Sequence, residues 1–163
     1  MTKTAVYPGS FDPVTYGHLD IAKRATNIFD HLIIAVTSNQ SKKTLFSIKE
    51  RVAMIKTVTK QMPKVEVQSF DGLLVEFVKA HKAKVIIRGL RAVSDFEYEL
   101  QMALMNRKLE SAVDTVFLMP AEPYTYLSSS VVKEIMSKGG NAAQFLPPFV
   151  EQKLRQKFSL TKK

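Results

Sequence analysis

Residues 32–36 read Leu32-Ile33-Ile34-Ala35-Val36, an unbroken run of apolar side chains. Successive side chains of a strand point to opposite faces of a sheet, so this run presents apolar surface on both faces. Parallel sheets that are covered by helices on both sides contain strands of this kind. The run therefore predicts a buried strand of a parallel sheet.

Similar runs alternate with helical patterns along the rest of the chain. The motif Ser47-Ile48-Lys49-Glu50 is typical of a helix start, because the serine and the glutamate can cap each other's backbone. A second match, Ser94-Asp95-Phe96-Glu97, opens a later helix. The predicted strands are 4–7, 32–36, 65–70, 85–87 and 116–119. The predicted helices are 19–29, 48–59, 73–81 and 94–109, one that Ser129 or Ser130 caps and that runs to Gly139-Gly140, and one from Pro147-Pro148 onward.

Five strands separated by helices predict an α/β fold, with a Rossmann-like parallel five-stranded sheet and helices on both faces. The length of 163 residues suits a single domain over 1–163, large enough to bury a core without disulfides. The absence of cysteine excludes a thiolate zinc site and a cysteine nucleophile, and it fits a cytoplasmic protein. We expect no secretory signal, because the start from Met1 to Tyr7 contains no long apolar region. We expect no membrane span, because no apolar run approaches ~20 residues.

The net charge of +9 is concentrated in two parts of the chain. Residues 42–91 carry twelve basic and four acidic side chains, a net +8, and residues 153–163 carry five basic side chains and no acidic one. A basic domain can bind nucleic acid, but basic residues at strand ends can equally bind small phosphate-bearing substrates. We interpret the segment at about 153–163 as a solvated basic tail with little part in activity.

The ligand site of an open α/β sheet lies beyond the carboxyl ends of its strands. The glycines fit neither the G-x-G-x-x-G dinucleotide motif nor the phosphate loop G-x-x-x-x-G-K-[ST]. The strand ends instead carry a loop at 7–18 with two prolines and two glycines. In that loop Gly9 would let a ligand approach the backbone, and Gly17-His18 stands at a helix start, where a phosphate is favoured. The alternative is that His18 only caps the helix.

A second candidate phosphate site is the hydroxyl-rich run Ser128-Ser129-Ser130, at the start of a predicted helix. Serine hydroxyls there can cap the helix and can also donate to phosphate oxygens. We assign no role to His31 and His81, which precede strands.

Several of these motifs together resemble one family. They are Tyr7-Pro8-Gly9-Ser10-Phe11-Asp12-Pro13, Thr15-Tyr16-Gly17-His18, Ser41-Lys42-Lys43, the block from Ile87 to Glu99, and Leu127-Ser128-Ser129-Ser130. In order and content they resemble the bacterial phosphopantetheine adenylyltransferases, in the nucleotidylyltransferase superfamily with its T/H-x-G-H motif. The resemblance spans essentially the whole chain. Three residues depart from the usual family pattern, namely Ser10, Tyr16 and Leu127, where threonine, asparagine and isoleucine are common.

The resemblance implies transfer of the adenylyl group of ATP to 4′-phosphopantetheine, giving dephospho-coenzyme A and pyrophosphate by direct in-line attack. It implies three catalytic residues, of which His18 stabilises the α-phosphate, Lys42 neutralises the phosphate of phosphopantetheine and Arg91 binds the phosphates of ATP. It places Ser10, Arg88 and Leu74 beside phosphopantetheine together with Lys42. For Leu74 a place in the core is an alternative.

The remaining implied contacts are with ATP. For Glu99 the alternative is an ion pair with Arg91 or Arg107. The residues that the resemblance assigns to ATP are Ser10, Phe11, His18, Gly89, Leu90, Arg91, Glu99, Tyr124, Thr125, Tyr126, Leu127, Ser128, Ser129 and Ser130.

The resemblance further implies Mg²⁺ as the companion of ATP, held mainly by phosphates and water, since the sequence shows no clustered carboxylate cage. It implies a homohexamer with coenzyme A as a feedback inhibitor, and no nucleic-acid or membrane partner. Two other functions stay open at this point. One is a related nucleotidylyltransferase with another phosphorylated acceptor, and the other is a basic nucleic-acid-binding module.

Overall fold

The structure, a computed structural model, describes residues 3–38, 43–91 and 93–159, with the backbone alone for 93–95. Strands and helices alternate through these ranges, and each predicted strand and helix is present. The strands are β1 (Thr4–Gly9), β2 (His31–Thr37), β3 (Val65–Phe70), β4 (Val85–Gly89) and β5 (Asp114–Leu118). The helices are α1 (Tyr16–Ile28), α2 (Ile48–Val58), α3 (Leu74–Ala80), α4 (Val93–Leu109), α5 (Ser129–Ser137) and α6 (Pro148–Lys157), with short 3₁₀ turns at Glu122–Tyr124 and Ala143–Phe145.

The five strands form one sheet in the order β3-β2-β1-β4-β5, and all neighbouring pairs are parallel. The predicted α/β class with a parallel five-stranded sheet is therefore confirmed. The chain runs outward from β1 to β3, then crosses back to place β4 on the other side of β1. A crevice opens at such a reversal, beyond the carboxyl ends of the strands, and ligands bind there in folds of this type.

Side chains of alternating direction along the strands supply a core on each face of the sheet. In β2, Leu32, Ile34 and Val36 pack with α1, α2, α5 and α6 in one core, whereas Ile33 and Ala35 pack with α3 in the other. All five side chains are buried, as the run in the sequence predicts. Helices therefore cover both faces.

Three predicted helix starts can be compared with the structure. The Ser47–Glu50 capping box is confirmed, with both reciprocal hydrogen bonds present. The prediction that Ser129 or Ser130 caps α5 is wrong: Ser128 is the N-cap, and its hydroxyl accepts from the backbone N–H of Val131. Helix α4 begins at Val93, so Ser94 lies inside the helix rather than before it.

The end of β4 extends farther than predicted. Arg88 and Gly89 are its last two residues, paired with Phe117 and Leu118 of β5. A strand holds these residues more firmly than a loop would, because the ladder fixes their backbone. Arg88 is therefore presented at the sheet edge by regular structure.

The interval predicted as a basic tail begins inside α6. Leu154 is fully buried in the core, Arg155 pairs with Glu151, and Lys157 pairs with Glu50 of α2. Residues 153–157 are thus part of a packed helix, which revises the picture of a solvated tail starting at 153. None of the helices in the described ranges combines the length and apolarity that crossing a bilayer requires.

Candidate active site

A cavity of about 250 Å³ lies beyond the carboxyl ends of β1 and β4, where the strand order reverses. Its wall is formed by the end of β1 and the following loop, the start of α1, the end of β4, one residue of α4, and the segment that leads into α5. The predicted site residues that line it are Ser10, Phe11, His18, Arg88, Gly89, Arg91, Glu99, Tyr124, Leu127, Ser128, Ser129 and Ser130.

Other predicted residues do not line this cavity. Leu74, at the start of α3, packs against the core on the opposite face of the sheet. Leu90 donates its backbone N–H to Leu118 and so continues the β4–β5 pairing. Thr125 follows the 3₁₀ turn, and the side chain of Tyr126 is 87% exposed. The predicted ligand Lys42 lies outside the described residues.

His18 occupies the third position of α1 and completes a capping box with Thr15, the N-cap residue. The Thr15 backbone N–H donates to Nδ1 of the imidazole over 3.0 Å, and the His18 backbone N–H donates to the Thr15 hydroxyl over 3.4 Å. The two interpretations of His18 are therefore compatible, because the same side chain caps the helix and lines the cavity.

The capping bond also fixes the tautomer of the imidazole. Since Nδ1 accepts a hydrogen bond, the proton of the neutral ring is on Nε2, which makes Nε2–H a donor. Burial, helped by the positive charges of Arg91 and Arg88, lowers the pKa of His18 to about 3. In the absence of substrate the ring is thus neutral at physiological pH.

Arg88 crosses the cavity floor and is held at two points. Its Nε and Nη2 donate to the two carboxylate oxygens of Glu99 over 2.6 and 2.5 Å, and Nη1 donates to the Pro8 carbonyl over 2.9 Å. Burial by itself would lower the pKa of Arg88. The hydrogen bonds and the negative charge of Glu99 raise this pKa by more, so it lies above its ordinary value. Glu99 therefore forms an ion pair with Arg88, whereas Arg107 pairs with Asp114.

Arg91 and the serine segment close the other side of the cavity. Arg91 Nη1 donates to the Leu127 carbonyl over 3.0 Å, which ties the end of β4 to the segment before α5. The hydroxyl of Ser129 donates to the Pro13 carbonyl over 2.8 Å, so α5 is also joined to the loop after β1. The N-terminus of α5 thus faces a cavity that already contains two guanidinium groups.

Known proteins resemble this chain over nearly its full length. The sequence profile of the family described as Cytidylyltransferase-like matches residues 6–135. A protein of Caldanaerobacter subterraneus subsp. tengcongensis named phosphopantetheine adenylyltransferase is 58% identical over 156 residues, which cover 96% of this chain and 98% of that protein. The chain belongs to the phosphopantetheine adenylyltransferase family. The family resemblance found in the motifs is therefore confirmed.

A second relative of the same name, from Geobacter sulfurreducens, is 56% identical over 158 residues, or 97% of this chain and 96% of that protein. A solved structure from Vibrio parahaemolyticus, described as a candidate nicotinate-nucleotide adenylyltransferase, covers 99% of this chain with a TM-score of 0.70. The match also covers 98% of the chain of that structure, and the two sequences are 15% identical. At this identity the structural likeness shows the fold alone, whereas the two relatives show the family.

Within this phosphopantetheine adenylyltransferase fold, Gly9 lines the cavity and lies against the ring of Phe11. A Cβ atom at Gly9 would lie 3.0 Å from two ring carbons of Phe11, so a larger residue there would crowd that ring. The approach of a ligand to the Gly9 backbone stays a prediction from the sequence. Phe11 is buried with a left-handed φ of 47°, a conformation that non-glycine residues adopt at a cost of about 1 kcal/mol. The ring in turn packs edge-on against His18, with centroids 5.0 Å apart.

Sequence reasoning missed Tyr7 as a cavity residue of this family member. Tyr7 is 5% exposed, lines the cavity and packs edge-on against Phe11. Burial raises the pKa of its phenol above the ordinary value, although Arg88 and Arg91 oppose the rise, so the hydroxyl stays protonated. Its position in β1 directly before Pro8-Gly9, at the carboxyl end of the strand, could have indicated that it lines the cavity.

The lowered pKa of His18 predicts an acid-dependent loss of stability. An unfolded histidine has a pKa near 6.5, so between pH 6.5 and about 3 the unfolded chain takes up a proton that the folded chain does not. The free energy of unfolding should therefore fall as pH drops through this window. Between pH 7 and 4 we expect His18→Gln, which retains a capping-box residue, to lose about 2 kcal/mol less stability than the wild type.

Urea unfolding of the substrate-free protein at several pH values measures this difference. A parallel decline in the two proteins would mean that His18 is not held neutral by its surroundings.

Proposed function

We propose that the chain transfers the adenylyl group of ATP to 4′-phosphopantetheine and releases pyrophosphate, yielding dephospho-coenzyme A. The observation that carries this proposal is the cavity in which a neutral imidazole, two arginines and the N-terminus of α5 face one another. The names of the close relatives supply the acceptor.

The reaction requires few covalent tasks of the protein. A phosphate oxygen of the acceptor attacks the α-phosphorus of ATP, a new P–O bond forms, and the bond from the α-phosphorus to the β-phosphate oxygen breaks. Pyrophosphate leaves with the bonding electron pair. Catalysis of this kind depends on alignment in line and on fixed donors placed where negative charge develops.

His18 supplies such a donor. Its Nε2–H is fixed by the capping bond at Nδ1, and the helix N-terminus orients the ring. The neutral ring donates a hydrogen bond to an α-phosphate oxygen and does not need to release a proton. Negative charge builds up on that oxygen in the transition state, so the hydrogen bond is stronger there than in the ground state. This difference lowers the barrier.

Arg88 and Arg91 supply the positive charge. A guanidinium has five N–H donors, and three of those on Arg88 are used by Glu99 and Pro8, which leaves two for a phosphate. We place the acceptor phosphate there, and the phosphates of ATP between Arg91 and the N-terminus of α5 with its serines. The roles of Lys42 beside the acceptor phosphate and of Leu74 beside the pantetheine arm stay predictions from the sequence.

Magnesium enters this scheme with ATP. The described residues contain no group of three or more histidine, aspartate or glutamate side chains that could hold a metal ion. Among the described residues that line the cavity, Glu99 carries the carboxylate, and Arg88 engages it. The residues present fit an ion whose ligands are phosphate oxygens and water, with the chain binding the phosphates.

Phosphopantetheine-dependent release of pyrophosphate tests the proposed function. Protein incubated with ATP, Mg²⁺ and 4′-phosphopantetheine should release pyrophosphate in proportion to enzyme concentration. Pantetheine without its phosphate should release none, because the attacking group is missing. No release from either compound by correctly folded protein would contradict the proposal.

The proposal extends to the oligomeric state of the chain and to its regulation. Helix α4 exposes an apolar surface formed by Leu104, Met105 and Leu109, with Tyr98 on an earlier turn. A second copy of the chain could cover this surface, which supports the predicted homohexamer. Light scattering should then give six times the mass of the chain. Feedback by coenzyme A and a cytoplasmic location stay predictions from the sequence.

Binding of nucleic acid is not favoured as an alternative. Arg88 and Arg91 face a cavity of about 250 Å³, which suits the phosphates of small substrates. Lys157 and Lys79 form ion pairs with neighbouring elements.

A further inference from the structure

We propose that Arg51 is a positioning residue for this reaction, acting through the backbone of Ser10. Asp12 supports it in this role, and the inference rests on the proposed function. Neither residue is expected to touch the substrates. Together they fix the loop after β1 against the end of β2 and the start of α2.

Arg51 lies on α2 and is 3% exposed, which is rare for an arginine. Its Nη1 donates to two carbonyls, that of Ser10 over 2.6 Å and that of Thr37 over 3.0 Å. Its Nε donates to the Phe46 carbonyl over 3.1 Å. One guanidinium therefore joins the loop after β1, the last residue of β2 and the segment before α2.

Asp12 joins the loop after β1 to two segments, the one before α2 and helix α5. It is 3% exposed, and its two oxygens accept from the backbone N–H groups of Leu45 and Phe46, both over 2.9 Å. Lys133 of α5 donates to the same carboxylate over 2.6 Å. The carboxylate also lies near enough to Arg51 to offset part of the burial that lowers the pKa of the guanidinium.

A buried cation and a buried anion are expensive features for a fold, and an apolar cluster would often stabilise it as well. The charged groups instead fix the relative positions of the backbone segments that they bind. Three carbonyls from separate segments accept hydrogen bonds from the one planar guanidinium of Arg51. Because the directions of its N–H groups are fixed, the positions of these carbonyls are fixed as well. Ser10 lines the catalytic cavity, and Ser129 of α5, the helix that carries Lys133, is bonded to the same loop at Pro13.

A displacement of this loop should therefore disturb the alignment of the reacting atoms. Phosphoryl transfer depends on near-attack geometry, and a misplacement of 1 Å from a distant mutation can lower the rate about 100-fold. Lysine keeps the charge of Arg51 but has a single nitrogen, so it cannot reach three carbonyls in the fixed directions of a guanidinium. Arg51→Lys should thus loosen Ser10 without removing the cation.

The test compares Arg51→Lys with Arg155→Lys. Arg155 is a half-buried arginine on α6 with one carboxylate partner, Glu151, and no contact with the cavity. At a temperature where circular dichroism shows all proteins folded, we expect kcat/KM to fall about 30-fold in Arg51→Lys and to change less than twofold in Arg155→Lys.

A second variant separates positioning from a purely structural role. If Arg51 acts through Ser10, then Ser10→Ala should lower activity in the wild type but change it less than twofold in the Arg51→Lys background. Independent, multiplied effects of the two substitutions would overturn the inference. Unchanged kcat/KM in folded Arg51→Lys would overturn it as well.

Binding of MgATP, measured by calorimetry, keeps the inference distinct from the proposed function. Arg51→Lys should weaken this binding about tenfold relative to the wild type, because Ser10 belongs to the same cavity. If the wild type released no pyrophosphate with phosphopantetheine, the proposed function would fail. Equal MgATP affinity of the wild type and the folded variant would then still overturn the role of Arg51.

Discussion

His18→Ala should lower kcat about 1,000-fold and leave the KM values for ATP and phosphopantetheine within about threefold of the wild type. The reason is the fixed donor Nε2–H, which gains strength as charge develops on the α-phosphate; loss of one such donor costs about 10²–10³ in rate. Steady-state kinetics with pyrophosphate detection measures both constants.

Two further variants make this result specific to the donor. His18→Gln retains a capping-box side chain at the third position of α1, so it should keep the stability that alanine loses while staying slow. His31→Gln changes a histidine at the start of β2 that pairs with the exposed Glu66, away from the cavity, and should behave as wild type. Near-normal kcat in His18→Ala would contradict the transition-state role.

Arg88→Met should have the second large effect, on activity and on stability together. Removal of the guanidinium takes away the proposed site for the acceptor phosphate, and we expect kcat/KM to fall about 1,000-fold. It also leaves the Glu99 carboxylate, 7% exposed, without its cation, which should cost about 2–4 kcal/mol of unfolding free energy. Kinetics and urea unfolding measure the two losses.

The double variant Arg88→Met/Glu99→Gln separates these losses. Neutralising the buried carboxylate should restore most of the stability, because no unpaired charge is left. Activity should stay low, because the phosphate still lacks its arginine. Arg107→Met serves as a control, since its ion pair with Asp114 is exposed on both sides and is worth little. Recovery of activity in the double variant would assign Arg88 a structural role only.

The sequence predicted those features that depend on local pattern. The apolar run from Leu32 to Val36 gave β2 to within one residue at each end, and Ser47 with Glu50 gave the start of α2. The rule that ligands bind at carboxyl ends of strands then brought His18, Arg88 and Arg91 into one region, and the structure places all three in one cavity.

Features that depend on contacts between distant segments were missed or misplaced. The partner of Glu99 is Arg88, because α4 folds back over the end of β4, and helical spacing alone could not show this. The closeness of Gly9 to the ring of Phe11 was missed as well, because the left-handed φ of Phe11 is not visible in the sequence. The buried Arg51 looked like any charged helix residue, because its carbonyl partners are 5, 14 and 41 residues away.

The measurement that tests the central claim most directly is a competition between acceptors. The protein is incubated with MgATP and equal concentrations of 4′-phosphopantetheine, nicotinate mononucleotide and glycerol 3-phosphate, and the adenylylated products are identified by mass spectrometry. The account predicts dephospho-coenzyme A as the dominant product, together with an equal amount of pyrophosphate. Adenylylation of one of the other acceptors in preference to phosphopantetheine would contradict it.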